Sequence, residues 1–122
     1  MELRKRHKAH ARPLKNLEER YIWYAKAIET EAPTRKGAWI QSFCEHAKEL
    51  HLDLGCGKGQ FAIAQAQAHP DTLFVGLDYD KACIARAAQK VCELELDNCI
   101  FALADAEDLS EYFAEGELDG IY

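Results

Sequence analysis

No stretch of this chain approaches the roughly 20 uncharged apolar residues that a membrane-spanning helix needs, and its basic start lacks the apolar core of a secretory signal. The expectation is a cytoplasmic protein with no membrane partner. The five cysteines, Cys44, Cys56, Cys83, Cys92 and Cys99, form an odd set without a Cys-x-x-Cys pair or a histidine pair at ligand spacing. Neither a disulfide framework nor a metal site is therefore expected, and the thiols read as reduced core residues. Internal repeats and low-complexity segments are missing too, and 122 residues leave no room for a second full domain.

What the chain does contain is the mixture of a globular domain: 48% hydrophobic and 30% charged residues, enough to build a core and keep its surface wet. Charge is unevenly placed. Residues 1–15 carry Arg4, Lys5, Arg6, Lys8, Arg12 and Lys15 against Glu2 alone, although the formal net charge of the whole is −6. Such an arm either lies along a phosphate backbone, releasing counterions at each contact, or is a solvated tail. Arg4, Lys5, Arg6, Lys8 and Arg12 are the candidate nucleic-acid contacts.

Beyond the arm, a helical segment is expected over residues 16–48. Leu14, Leu17, Tyr21, Tyr24 and Ile28 recur at three- and four-residue steps, which predicts one apolar helix face running to about Pro33. A second short helix after Gly37 would bury Trp39, Ile40, Phe43, Cys44 and Ala47. Aromatics at this spacing belong to a core more often than to a base-stacking surface.

From residue 49 the rhythm changes. Strands at Leu50 to Leu54, Leu73 to Asp78, Cys99 to Leu103 and Leu118 to Tyr122 alternate with helices from Lys58 to about His69, from about Lys81 to Glu93, and a short turn near Glu107 to Phe113. Alternation of this kind implies parallel strands joined by right-handed crossovers, and so an α/β, Rossmann-like, doubly wound and mostly parallel sheet. Ligands bind such sheets at the carboxyl ends of the strands, near the point where strand order reverses.

At that end of the first of these strands stands "LDLGCGKG". Gly55, Gly57 and Gly59 permit a tight turn and close approach of backbone to ligand. The phosphate-cradling GxxxxGK[ST] pattern does not match, and the GxGxG spacing departs from the GxGxxG dinucleotide fingerprint. Asp53, two residues before the first glycine, would repel a pyrophosphate. It would attract a cation at roughly 4 kcal/mol across 4 Å, for an effective dielectric near 20. A cationic ligand fits better.

"LDLGCGKG" resembles the first motif of the Rossmann-like class I methyltransferases, whose cofactor, S-adenosyl-L-methionine, bears a sulfonium and an amino group. The resemblance implies that Asp78, at the end of the second strand, accepts hydrogen bonds from the ribose hydroxyls. It also implies that Asp105, in "FALADAEDL", receives the adenine amino group while the Ala106 N–H meets a ring nitrogen. The cofactor set is then Asp53, Gly55, Gly57, Gly59, Asp78, Asp105 and Ala106. Lys58 could balance the cofactor carboxylate, but a loop lysine is more often a surface residue.

"GLDYDKACIARAAQKV", "LDNCIFALADAEDL", "FAEGELDGIY" and the basic start are similar, in order and spacing, to the bacterial-type tRNA (guanine-N7)-methyltransferases; residues 17 to 49 are only loosely similar. That family usually has Glu where Asp53 stands. In it, the strand corresponding to "DGIY" runs into an Asn-Phe-Ser-Asp-Pro-Trp-Pro segment that holds the catalytic aspartate. The resemblance therefore implies a tRNA partner and a catalytic residue beyond Tyr122, with residues 49–122 as the cofactor-binding half of the domain. A fold truncated after the start of its fourth strand would leave an unpaired edge. Two alternatives stay open: a Rossmann methyltransferase acting on a small molecule or a protein, and a non-catalytic cofactor-binding module. The sequence is silent on oligomeric state.

Overall fold

The computed structural model describes residues 16–122, and the expectations placed on the basic arm lie outside them. Five parallel strands, β1 (Ile28–Glu29), β2 (Glu49–Leu54), β3 (Thr72–Asp78), β4 (Cys99–Leu103) and β5 (Gly120–Ile121), form one sheet in the order β1-β4-β3-β2-β5. The chain steps outward from β2 through β3 to β4, then returns to place β5 on the other side of β2. Strand order thus reverses at β2, the strand that leads into the glycine loop.

The strands are parallel because a helix fills each crossover. Helix α3 (Gln60–Ala68) joins β2 to β3, and α4 (Lys81–Leu94) joins β3 to β4. Along β3 the side chains alternate between faces, as the period of a strand requires. Phe74 packs with Ala62, Ile63, Ile84, Ala88 and Phe101 under α3 and α4, whereas Leu73, Val75 and Leu77 join Leu50, Leu52 and Ile100 on the other side. That second face is covered by Trp39 of α2 (Trp39–Phe43) and by Tyr112 of α5 (Leu109–Tyr112). Both faces being covered, β3 reads as an apolar run rather than an alternating one.

Local signals explain where the elements begin. The Asp80 carboxylate accepts from the N–H groups of Ala82 and Cys83 at 3.0 and 3.2 Å, starting α4. The helix stops where Glu95 adopts a left-handed conformation, φ 57°. Asn98 is almost fully buried, and its side-chain amide donates to the carbonyls of Ala66, His69 and Thr72 at 2.9 to 3.0 Å. One side chain therefore ties the end of α3 and the start of β3 to the start of β4.

The N-terminal segment departs from expectation. Instead of one helix running to about Pro33, α1 spans only Leu17–Trp23, capped by Asn16 accepting from the Glu19 N–H at 2.8 Å. A 3-10 turn follows, and Ile28 enters β1, where it pairs with Phe101 at the edge of the sheet. The open edge of β4 offers ladder hydrogen bonds and a buried seat that suit a β-branched residue better than a further helical turn would. Glu29 beside it is buried too, its carboxylate accepting from Arg35 Nε and from the Glu31 N–H, both at 3.0 Å. In α2, Trp39 is fully buried and its Nε1–H donates to the Tyr112 carbonyl at 2.7 Å, while Ile40 and Phe43 are only partly covered.

Candidate functional site

The glycine loop leaves β2 at the reversal point and is fastened to β3 through its own backbone N–H groups. The N–H groups of Gly55 and Cys56 both donate to the Leu77 carbonyl at 2.9 Å. Gly55, Gly57 and Gly59 have φ values of +71°, +57° and +82°, the left-handed region that other residues enter at a cost. Their surroundings differ. A Cβ on Gly55 or Gly57 would meet nothing within 4 Å, so these two face open space where a ligand can approach. A Cβ on Gly59 would lie 2.6 Å from the Phe101 ring and 2.8 Å from the Ala87 methyl, so this glycine serves packing of α3 onto the sheet.

Asp53 is 8% exposed, and among the described residues its side chain has no hydrogen-bond or ion-pair partner. Burial pushes its carboxyl above the usual carboxylate range, and the charge of Asp78 pushes the same way. A mostly buried anion next to a second anion is costly in isolation and becomes favourable beside a cation.

The Asp78 carboxylate is half-buried and partly committed. Its Oδ2 accepts from the Gly57 N–H and its Oδ1 from the Asp80 N–H, each at 2.9 Å. It therefore shapes the loop, and each oxygen keeps a second lone pair for another donor. Asp105 is exposed just past β4, where its Oδ1 accepts from the Glu107 N–H at 2.9 Å and caps a 3-10 turn. Ala106 opens that turn and is exposed. The Ala104 N–H donates to the Asp78 carbonyl at 3.0 Å, joining the two strand ends. The fold thus assembles Asp53, the glycines and Asp78 in one place and sets Asp105 and Ala106 at the neighbouring strand end. Lys58 points elsewhere: it is exposed and lines a groove of about 720 Å³ between α3 and α4 with Arg86 and Lys90.

Three contributors escaped the pattern of motifs. Gly76 in β3 has ordinary backbone angles, yet a Cβ there would sit 2.5 Å from the Phe101 ring and 3.0 Å from the Cys56 Cβ. Phe101, fully buried, fills the space beneath the loop that Gly59 and Gly76 leave. An isolated glycine in an apolar strand was the available signal. Tyr79 follows Asp78 directly and is 85% exposed, an aromatic face with nothing over it at the mouth of the site.

Residues 47–122 match the sequence family described as "Putative methyltransferase". Among curated proteins, the tRNA (guanine-N(7)-)-methyltransferase of Lacticaseibacillus casei is 36% identical over 98% of this chain and 53% of its own length. The protein of that name from Geobacillus kaustophilus is 34% identical over 81% of this chain and 45% of its own. The chain thus spans about half the length of the curated relatives it matches. Among solved structures, an antibiotic-related methyltransferase superposes with a TM-score of 0.53 at 26% identity, covering 59% of this chain and 39% of that one. The 16S rRNA methyltransferase KamB gives 0.52 at 27%, covering 57% and 34%. No helix among the described residues is long and apolar enough to cross a membrane. S-adenosylmethionine is the general cofactor class of such methyltransferases, and by its sequence match and its parallel sheet this chain belongs to the methyltransferase family.

Proposed function

We propose that this chain supplies the S-adenosyl-L-methionine-binding half of a tRNA (guanine-N7)-methyltransferase. The observation that carries the cofactor reading is Asp53: a mostly buried carboxylate without a partner among the described residues, beside a loop whose first two glycines open onto free space. Similarity to curated tRNA methyltransferases across nearly the whole chain supports the substrate.

In this reading Asp53 faces the positively charged end of the cofactor, and Gly55 and Gly57 let the backbone lie against it. The free lone pairs of Asp78 accept from the ribose hydroxyls, Tyr79 covers one side of the nucleoside, and Asp105 with the Ala106 N–H reads the adenine edge. The cofactor supplies an electrophilic methyl group. Guanine N7 carries no proton and needs no base, so the protein's contribution is to align the N7 lone pair with the methyl–sulfur bond and to exclude water. The catalytic residue is proposed to lie beyond Tyr122, as the resemblance implies. The arm residues Arg4, Lys5, Arg6, Lys8 and Arg12 are proposed to contact tRNA phosphates.

Titration calorimetry with S-adenosylhomocysteine tests the pocket. One site per chain is expected, and Asp78→Ala should weaken it by at least tenfold, about 1.4 kcal/mol; unchanged affinity would refute the ribose assignment. For the partner, tRNA affinity should fall steeply with salt, and less steeply when Arg4, Lys5 and Arg6 are replaced by Ala. A salt slope unaltered by that triple change would remove the arm from the interface.

A further inference from the structure

With the basic arm set aside, the chain is strongly acidic: residues 16–122 carry nine lysines and arginines against twenty aspartates and glutamates. Three of those nine cations, Lys58, Arg86 and Lys90, line the groove between α3 and α4, where Glu93 is the one acid in the lining. All three are exposed, and among the described residues none has an ion-pair partner. Glu93 accepts from Gln89 Nε2 at 3.1 Å instead. Arg86 and Lys90 stand one turn apart on α4, about 6 Å along its axis, and like charges at that spacing repel and weaken a helix. An anion laid against both would turn that repulsion into attraction.

The form of the groove selects the kind of anion. Its lining runs from Lys58 in the glycine loop to Gln67 and Leu94 in the last turns of α3 and α4, the full length of α3, which is about 13 Å for nine residues. The cations are spread along this length rather than converging on one point, with Lys58 at the upper end and Arg86 and then Lys90 further down α4. A single phosphate would meet one of them; a chain of phosphates meets all three. Gln60 and Gln67 add side-chain amides that can donate to phosphate or ribose oxygens without adding charge.

We propose that this groove is a track for the phosphate backbone of tRNA, with Lys58, Arg86 and Lys90 each taking a phosphate. The proposal rests on the tRNA reading above and extends the interface from the arm onto the folded domain. Its position agrees with that reading. The upper end of the groove lies at the loop that faces the cofactor. Helix α1, which follows the arm, packs on α4 through Tyr21, whose hydroxyl donates to the Lys81 carbonyl at 3.4 Å and whose ring centroid lies 4.9 Å from Lys81 Nζ. The helix that continues the arm and the groove thus flank the same element.

Fluorescence anisotropy of a labelled tRNA transcript, titrated with the full chain across a salt series, reads the slope of log affinity against log salt. Arg86→Gln and Lys90→Gln should each lower that slope by about 0.7–0.9, or about fivefold in affinity at 0.15 M salt, and the double variant by about twice as much. Lys48→Gln, the same charge change at an exposed position before β2, at the other end of the sheet, should leave the slope alone. Both groove positions are exposed, so urea unfolding should find the variants as stable as the wild type. A slope unchanged in the double variant, or lowered equally by Lys48→Gln, would overturn the groove while the arm and the tRNA reading stood. Absence of tRNA binding by the wild-type chain at low salt would overturn both. Binding of ATP alone that is lost in the double variant would give the groove to a small nucleotide and likewise overturn the proposal.

Discussion

A single methyl group added at Gly76, Gly59 or Gly57 separates two demands that look alike in sequence. At Gly57 the left-handed φ of +57° is the whole penalty, because nothing lies within 4 Å of the new carbon. That strain is about 1–2 kcal/mol. At Gly76 the backbone is ordinary and the penalty is contact: 2.5 Å to two Phe101 ring carbons. Phe101 is fully buried and cannot swing aside, so overpacking of about 1–3 kcal/mol is expected. Gly59 combines both, with φ +82° and 2.6 Å to the same ring, and Gly59→Ala should cost about 2–5 kcal/mol. Urea unfolding of the three alanine variants, alone and with Phe101→Leu, measures this as a double-mutant cycle. Shrinking Phe101 should relieve Gly76→Ala and Gly59→Ala by about 1 kcal/mol or more and leave Gly57→Ala alone. If the relief falls within the ~0.5 kcal/mol by which independent sites add, or if Gly57→Ala proves the costliest of the three, Phe101 is not what requires these glycines.

Asn98→Asp would turn a carboxylate toward three carbonyl oxygens, and should destabilise the fold by about 3 kcal/mol or more at neutral pH, with Asn98→Ala costing less; chemical denaturation reads both. Glu117 accepts from the N–H groups of Gly37, Ala114 and Trp39 at 2.7, 2.8 and 3.3 Å. Glu117→Ala should therefore cost about 2–3 kcal/mol and loosen the turn before α2, seen as faster amide exchange at Gly37. Asp53 has a raised folded pKa, so the folded state binds its proton more tightly than the unfolded one. Its contribution is then most favourable below the unfolded carboxylate range and is lost as pH rises through the folded pKa. Asp53→Asn should accordingly stabilise the ligand-free protein at neutral pH, flatten that part of its stability profile, and weaken S-adenosylhomocysteine and S-adenosylmethionine binding, the latter more because it alone carries the sulfonium charge.

Residues 49 to 122 were legible because each element there answers to a local rule. Asp80 caps α4, apolar runs mark the buried strands, and the GxGxG spacing marks the loop. β1 was not legible, since two residues carry no period and Ile28 continued the apolar spacing of α1; only the edge of β4, distant in sequence, explains its extended backbone. Gly76 shows the converse, a visible residue whose meaning depends on a ring contributed by another strand.

Asp78 shows why site residues resist a one-role reading. The carboxylate proposed to hold ribose already holds the Gly57 and Asp80 N–H groups. Removing it would disturb the loop and the cofactor together, so loss of binding in Asp78→Ala cannot by itself distinguish a contact from a support. Asp53 lacks that ambiguity, because no described group depends on it. Its replacement should act on stability and on binding in opposite directions. A structural acid would lose both at once, so a gain in ligand-free stability accompanied by weaker binding of the charged cofactor identifies a carboxylate kept for its ligand.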